Sequence, residues 1–366
     1  MKHANSISML HVIFLSMTVI GLKNHVTIIP PLLTVSGRDG WLSVILATLV
    51  LLPWGLLLLY INKQSNQEPM KDWLQQKIGK AGSSIFLYVI VICLLLQASL
   101  TITETLQWVN ATFLPEIPIV LLLLLFTILC VLLITTSIQT IVMTNAVVLV
   151  GVVTSGFFAA FTNMKVKNHE LLQPFFEHGF EPVVKGMVYP ASGIVELTFF
   201  LFLQHKVKGR IRFKHYVTMI LILAVLTLGP LIGSITEFGP IEATKQRFPA
   251  FEEWGLVSIG YYIEHLDFFS IYQWLSGAFI RVGLMLYIIV DLFNLNGKKK
   301  EIWTYIAPPF VIISLSLLLI TGVTFDNIKE KYVLPITFIT FFIISLFIAI
   351  VAFISERSSR RIKHEM

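Results

Sequence analysis

Four ionisable side chains lie inside long apolar stretches of this 366-residue sequence, namely Lys23, Glu104, Glu196 and Arg281. A charge at the centre of a bilayer costs about 2.5 to 3.5 kcal/mol on insertion scales, so such groups normally pair or face a polar cavity. Two cations and two anions favour pairing. We therefore expect Glu196 to face a cavity and to pair with Lys23 or Arg281, and Glu104 to lie on the route from the outer surface. A purely stabilising ion pair is the alternative.

One apolar stretch, residues 183–204, contains a short segment that disfavours a regular helix, namely Pro190, Ala191, Ser192 and Gly193. Proline lacks a backbone N–H group and obstructs the carbonyl one turn earlier, and glycine leaves helical dihedral angles at low cost. Backbone groups released inside a membrane must meet a ligand, water or another helix. The half-helix after this break would point its positive end inward, which suits an anion. A proline kink repaired by neighbouring helices is the alternative.

The elements that carry these residues are predicted to be membrane helices. The chain is 56% hydrophobic and only 13% charged, which is typical of an integral membrane protein. Continuous apolar runs such as 120–134 exclude a barrel, whose strands would alternate. We predict an all-α membrane protein with a single domain over residues 1–366 and ten transmembrane helices. The predicted spans are approximately 8–33, 41–61, 82–109, 118–137, 140–162, 184–204, 216–236, 268–294, 303–323 and 333–354.

Two of these spans are interrupted. Span one carries Gly21-Leu22-Lys23-Asn24-His25 near its centre, and span six carries the Pro190–Gly193 segment. If spans one to five and six to ten form two halves, approximately 8–162 and 184–354, an odd number of helices makes the halves inverted relative to each other. Interrupted helices at corresponding positions of inverted halves indicate a ligand site at the membrane midplane. We also expect Trp274 and Tyr272 of span eight to line this cavity, with ordinary packing as the alternative.

Lysine and arginine residues are distributed unequally between alternate loops, which predicts the orientation. With the N-terminus in the cytoplasm, 17 of them lie on the inner side and 8 on the outer side. The positive-inside rule therefore places both termini in the cytoplasm. The net charge of +6 is explained by this topology and by anionic lipid, so we expect no nucleic-acid partner. The first apolar run is too long for a cleavable signal, and we expect it to remain as a helix.

Three connections are predicted to be more than simple links. In residues 68–80, Met70, Trp73, Leu74 and Ile78 share one helical face, which predicts a short helix on the cytoplasmic interface. A solvated loop is the alternative. The outer connections 169–183 and 237–267 are long and aromatic, which favours lids or binding elements. Anchoring of their aromatic residues at the membrane interface is the alternative.

The sequence gives no indication of an enzyme. It has no Gly-x-Ser-x-Gly, His-Glu-x-x-His or Walker motif. Cys93 and Cys130 both fall inside predicted spans, so we interpret them as small apolar residues with no disulfide or metal role. We expect no cofactor and no metal.

Several longer stretches resemble the spore germination permease family, the B subunits of nutrient germinant receptors in endospore-forming bacteria. They are ITETLQWVNATFLPEIP (102–118), LLQPFFEHGFEPVVKGMVYPASGIVELTFFLFL (171–203), FGPIEATKQRFPAFE (238–252) and YYIEHLDFFSIYQWLSGAFI (261–280). The FGP…FPAFE loop and the approach to span six are fairly specific together. The likeness covers nearly the whole chain.

This resemblance implies membership of the amino acid-polyamine-organocation superfamily, with ten helices in a LeuT-type five-plus-five inverted repeat. Such B subunits are held to recognise a nutrient, often an amino acid, in the spore inner membrane, with A and C subunits as partners. The implied ligand-binding residues are Gly21, Leu22, Lys23, Pro190, Ala191, Ser192 and Gly193, and we add Glu196 from its position beside the break.

One position departs from the family pattern. Relatives commonly carry Gly-x-Gly in span one, whereas Lys23 stands at the second glycine position here. A lysine amine there would crowd a free amino group of the ligand, which disfavours a simple zwitterionic amino acid. Alternatively, the amine stands where a sodium-driven transporter would bind its cation, and protonation of Lys23 or Glu196 replaces sodium.

Three hypotheses follow. The leading one is a non-enzymatic germinant-sensing subunit that binds a small nutrient between spans one and six. The second is a proton-coupled transporter of amino acids or related solutes. The third is a scaffold subunit with a vestigial pocket, which the presence of Lys23 favours.

Overall fold

The computed structural model describes residues 6–260 and 266–365, with side chains described as far as residue 357. Within these ranges the chain is helical apart from its connections and one isolated β-bridge between Ile7 and Val207. Four of the 17 cations counted on the inner side lie outside this description, namely Lys2 and the side chains of Arg360, Arg361 and Lys363, and so do residues 261–265 of the outer connection 237–267.

Nine helical stretches of the described chain are long and apolar enough to cross a membrane, and a tenth apolar helix, α4, is shorter at 16 residues. The prediction of an all-helical, multi-pass membrane protein is thus confirmed, whereas the inverted repeat remains a prediction. In chain order the helices are α1 Met9–Thr27, α2 Ile29–Gln64, α3 Met70–Thr112, α4 Ile119–Ile134, α5 Ile138–Lys165, α6 Glu181–Lys206, α7 Phe213–Phe238, α8 Phe268–Leu292, α9 Lys299–Leu318 and α10 Gly322–Arg357.

The predicted first span, 8–33, is divided between α1 and the start of α2. A 3-10 turn at Gly37–Asp39 then separates the segment Ile29–Ser36 from the segment Gly40–Gln64 of α2. Gly37 has a positive φ of 54°, a conformation that residues with a side chain rarely adopt. The chain turns here between its first two predicted spans.

Two helices change their winding where the sequence predicts an interruption, but neither opens. In α1 the residues Lys23–Thr27 form a π-helical turn. In α6 the α-helical segments Glu181–Gly186 and Val188–Ile194 meet at a turn at Met187, and the second segment passes directly into a 3-10 helix, Val195–Lys206. The predicted break at Pro190–Gly193 is therefore not observed, and no new helix begins after it to attract an anion. Pro190 lies in the first turn of its segment, where a missing N–H group leaves no helical bond unmade.

The predicted short helix at residues 68–80 is present as the first part of α3. It ends at Gly79, whose φ of 76° produces a kink before the membrane-spanning part. Met70, Trp73 and Leu74 are buried, as expected from their shared face. The predicted outer connections also contain short helices, namely His169–Leu172, Pro240–Ala243 and Pro249–Gly255.

The helices α6 and α8 lie at the centre of the molecule. Nearly every residue from Tyr189 to Gln204 and from Ala278 to Leu292 is buried, whereas only 22% and 28% of the most apolar windows of α5 and α9 are buried. The N-terminal segment joins α6 at one end, because Ile7 exchanges backbone hydrogen bonds with Lys206 and Lys208 at 2.8 Å each. A buried polar network involving Asn62, Gln204 and Tyr216 lies at the same end.

Candidate functional site

The π-helical turn of α1 brings Lys23 into direct contact with α6. The Lys23 ammonium group donates hydrogen bonds to the Ser192 carbonyl oxygen at 3.0 Å and to Glu196 Oε1 at 2.9 Å. Its side chain is only 5% exposed. Single π turns inside α-helices occur frequently at functional sites, because the extra residue displaces backbone groups from the regular ladder. Two segments predicted to adjoin a ligand site therefore contact each other through a charged group.

Arg281 of α8 completes a buried triad around Glu196. Its guanidinium group forms a bidentate pair with the carboxylate, with N–O distances of 2.6 and 3.0 Å. It also donates to the Val19 carbonyl oxygen of α1 and to the Thr101 hydroxyl group of α3. Glu196 thus pairs with both cations rather than with one of them. The triad connects four helices, α1, α3, α6 and α8.

Glu104 of α3 belongs to a second charged group nearer the predicted outer side. It accepts hydrogen bonds from Lys329 at 2.6 Å and from Thr27 at 2.8 Å. Lys329 also pairs with Asp326 at 2.9 Å, and Asp326 pairs with Arg247 of the connection between α7 and α8 at 2.6 Å. This chain of contacts links the membrane helices α1, α3 and α10 to an outer connection.

A small cavity lies between α1, α3, α8 and α10, and its charged lining comes from both groups, namely Lys23, Glu104, Arg281 and Lys329. Its volume is about 30 Å³, which is room for one or two water molecules. Gln97 and Thr101 contribute further polar groups, and Leu22 and Val333 contribute apolar ones. The cavity in this state is too small for an amino acid.

Aromatic rings cluster beside the cavity. Trp274 lines it, as expected, and stacks on Trp108 with ring centroids 4.1 Å apart. Phe248 and Phe251, from the connection between α7 and α8, pack edge-on against Trp274 and Trp108 at 4.5 and 5.1 Å. The aromatic rings of this connection thus cover Trp274 and Trp108 beside the cavity.

The expectation that Tyr272 lines the same cavity is wrong. Its side chain is 43% exposed, and its hydroxyl group donates to the Val148 carbonyl oxygen of α5. Residues two apart on a helix point in nearly opposite directions, so Trp274 and Tyr272 cannot share a face.

The remaining residues of the predicted pocket pack closely instead of lining a space. Gly21, Pro190, Ala191, Ser192 and Gly193 are all buried, and none of them lines the cavity. A methyl group at position 193 would overlap the Asn24 side chain of the π-helical turn. Gly193 therefore permits the close approach of α6 to α1, and its role in ligand binding stays a prediction.

Lys329 was missed by the sequence analysis, which assigned it to an outer loop. A π-helical turn at Lys329–Val333 continues α10 several residues before the predicted start of span ten. The spacing of Asp326 and Lys329, three residues apart, was an available signal for charges on one helical face. The polar residues Gln97 and Thr101, one turn apart on α3, were likewise an available signal, in this case for a polar face of that helix.

Two acidic side chains meet outside the cavity, at the predicted outer end of α7. Glu253 accepts a hydrogen bond from Ser234 at 3.0 Å, while Glu237 pairs with Lys167 at 3.4 Å. Asn163 bridges them by donating to Glu237 Oε2 and to the Glu253 carbonyl oxygen. Burial, and then the neighbouring Glu237 carboxylate, raise the pKa of Glu253 well above its usual range. Among the residues described, no group of three or more His, Cys, Asp or Glu side chains could hold a metal ion.

The chain is similar to known proteins in the following ways. The family described as spore germination protein matches residues 3–323. The curated protein named spore germination protein XB, from Bacillus anthracis, is 39% identical over 340 residues, which cover 93% of this chain and 96% of that relative.

Proposed function

This chain belongs to the spore germination protein family, and we propose that it is the nutrient-sensing membrane subunit of a germination receptor. In this proposal a small solute enters from the outer side of the spore inner membrane and binds in the cavity between α1, α3, α8 and α10. Receptor subunits of the A and C types detect the resulting change, and both termini lie in the cytoplasm. Membership of the family makes the chain a membrane component of the germination machinery; the sensing role is the proposal.

The observation that carries the proposal is the buried charge network that surrounds the cavity. Ion pairs inside a membrane contribute little net stability, because burying each charge costs several kcal/mol. Here Lys23, Glu104, Arg281 and Lys329 all line one space that is also lined by Gln97 and Thr101. Such a concentration of charged and polar groups at depth is typical of a binding site for a polar solute.

The small volume of the cavity supports sensing by a change of conformation. A nutrient can enter only if the helices separate, so it binds a wider state better than the closed one. A ligand shifts such an equilibrium by its difference in affinity for the two states. Arg247 and Phe248 connect the cavity lining to the outer connection, which gives the change a route out of the membrane.

A matched pair of leucine variants tests this proposal in spores. Leu100 lines the cavity. Leu96, one turn earlier on α3, does not line it, and its side chain is 42% exposed at the periphery of the helix bundle. We expect Leu100→Ala to change the nutrient preference or the nutrient concentration needed for half-maximal germination, with the receptor present at its normal level. Leu96→Ala should leave both unchanged. Equal behaviour of the two variants, with normal receptor assembly, would contradict the sensing role.

The two competing functions, a transporter and a scaffold, predict different experimental outcomes. Concentrative, proton-dependent uptake of labelled solute into proteoliposomes would show a transporter in place of a receptor. The position of Lys23 within the cavity favours the scaffold hypothesis as the second candidate. A scaffold predicts that cavity variants alter only the assembly of the complex, which co-purification of the partner subunits measures.

A further inference from the structure

With Lys23 protonated, the triad at the centre of the site has one positive charge in excess. Lys23 and Arg281 are cations, and Glu196 is the only carboxylate that either of them contacts among the residues described. The three side chains are 5%, 2% and 0% exposed, so solvent does not screen the excess charge. A buried charge without a partner is costly in a medium of low dielectric constant.

The second charged group does not supply the missing anion. Glu104 and Asp326 carry two negative charges, and Lys329 and Arg247 carry two positive charges, so the group is neutral by itself. Glu104 is further held by Thr27. The excess therefore belongs to the Lys23–Arg281–Glu196 triad and faces the cavity that both cations line.

Within the part of the chain that the structure describes, each of the two cations also has one hydrogen-bond donor without an acceptor. An ammonium group has three N–H donors, and Lys23 uses two, on Ser192 and Glu196. A guanidinium group has five, and Arg281 uses four, on Thr101, Val19 and the two oxygens of Glu196. Two free donors on two adjacent cations match the two oxygens of one carboxylate group.

The position that a ligand ammonium group would need is already occupied. The Ser192 carbonyl oxygen and the Glu196 carboxylate are the acceptors of α6 beside the cavity, and Lys23 holds both. A zwitterionic amino acid would add a third cation without an acceptor. Apolar residues, Leu22, Leu100, Val333 and Leu334, line other parts of the cavity and suit a hydrocarbon portion.

Building on the proposed sensing function, we propose that the ligand is a monocarboxylate that lacks an ammonium group. Its carboxylate lies between Lys23 and Arg281 and neutralises the excess charge of the triad. Its apolar portion contacts the leucine and valine side chains of α1, α3 and α10. The ligand class is thus set by Lys23, which supplies the amine that an amino acid would otherwise bring.

Three probes of nearly equal size and different charge test the proposal. L-lactate has a carboxylate and no ammonium group, L-alanine has both, and L-lactamide has neither. The full chain is reconstituted in lipid nanodiscs, and tryptophan fluorescence reports binding because Trp274 lines the cavity. We expect saturable binding of L-lactate at millimolar concentrations, with L-alanine and L-lactamide at least about tenfold weaker. Tighter binding of L-alanine than of L-lactate overturns the ligand class but leaves the sensing function standing.

A charge-removing variant and a proton measurement complete the test. Lys23→Met should abolish the preference for L-lactate over L-lactamide, whereas Lys331→Met, at an exposed position, should retain it. The melting temperature of each variant shows whether it is folded. If Lys23→Met does not fold, Lys23→Gln, which also removes the charge, takes its place and should lose the preference in the same way. If L-lactate binds and the protein takes up no proton from a weakly buffered solution, the triad carries its excess positive charge before the ligand binds, as proposed. Uptake of one proton per lactate, or no saturable binding of L-lactate, overturns the proposal. If nutrient-specific germination still responds to Leu100→Ala in that case, the sensing function survives.

Discussion

The Lys23 ammonium group and the Glu196 carboxylate lie 2.9 Å apart and join α1 to α6 inside the membrane-spanning region. Glu196 also holds Arg281 of α8 through two hydrogen bonds. One carboxylate therefore fixes the relative position of three helices. Its removal would leave two buried cations facing each other.

We expect Glu196→Gln to lower the stability of the protein strongly. Loss of one partner from a buried ion pair costs about 3 to 5 kcal/mol, because the remaining charge stays buried without compensation. Thermal unfolding of the purified protein, followed by tryptophan fluorescence, measures the loss. Glu242→Gln is the matched control, since Glu242 forms an exposed pair with Lys245 and should leave the melting temperature unchanged. Equal melting temperatures for the two variants would contradict the prediction.

The pair between Glu104 and Lys329 should show strong coupling. Lys329→Met leaves the buried Glu104 carboxylate without its cation, and Glu104→Gln leaves Lys329 with Asp326 as its remaining carboxylate, so each single variant is destabilised. The double variant removes both charges and should be more stable than the sum of the single effects, by about 0.5 to 3 kcal/mol. The exposed pair Glu181 and Lys185 provides an additive control cycle. Additivity within error in the Glu104–Lys329 cycle would refute the coupling.

The close approach of Gly193 to Asn24 predicts a destabilising variant with a rescue. Gly193→Ala places a methyl group where the Asn24 side chain lies, and such overpacking costs about 1 to 3 kcal/mol. Asn24→Ala in the same chain should restore part of the melting temperature, because it removes the overlapping atoms. Gly229→Ala is the control, since a methyl group at that position meets no other atom. Failure of Asn24→Ala to recover any stability would show that the overlap is not the cause.

The outer connection should depend on pH through Glu253. Its pKa is raised by burial and by Glu237, so the folded protein favours the protonated carboxyl group. Stability from this group is fully present below the unfolded pKa of about 4.3 and is lost as the pH rises through the higher folded pKa. We therefore expect Glu253→Gln to protect residues 249–255 from hydrogen exchange at neutral pH and to have little effect at acidic pH. Glu242→Gln should have no effect at either pH, and an equal effect of Glu253→Gln at both would contradict the assignment.

Composition and hydropathy were sufficient to predict the class of the protein and most of its helices. The charges Lys23, Glu104, Glu196 and Arg281 stood out because each interrupts an apolar stretch. Their partners could not all be predicted, since Lys329 lies near the end of an apolar run and looks like a loop residue. The sequence predicted an interruption at residues 21–25 but not its π-helical form, and no local residue pattern predicted the turn at Lys329–Val333, because a π-helical turn depends on contacts with other helices.

Pro190 and Gly193 gave a misleading signal for a related reason. Both residue types permit a break in a helix, and the sequence around them predicted one. In the fold, proline occupies the first turn of a helical segment and glycine admits the neighbouring Asn24. Residues that allow a helix to open also allow two helices to approach closely, and only the tertiary contacts distinguish the two uses.

The backbone pairing of Ile7 with Lys206 and Lys208 gives α1 and α6 a second point of attachment, away from Lys23 and Glu196. Lys23 follows Ile7 by 16 residues, and the 14 residues Met9–Leu22 between them form about 21 Å of α-helix. Helices attached at two levels resist sliding and tilt together as a single rigid arm. If the two helices tilted together about their Ile7 end, the displacement would be largest at their opposite ends.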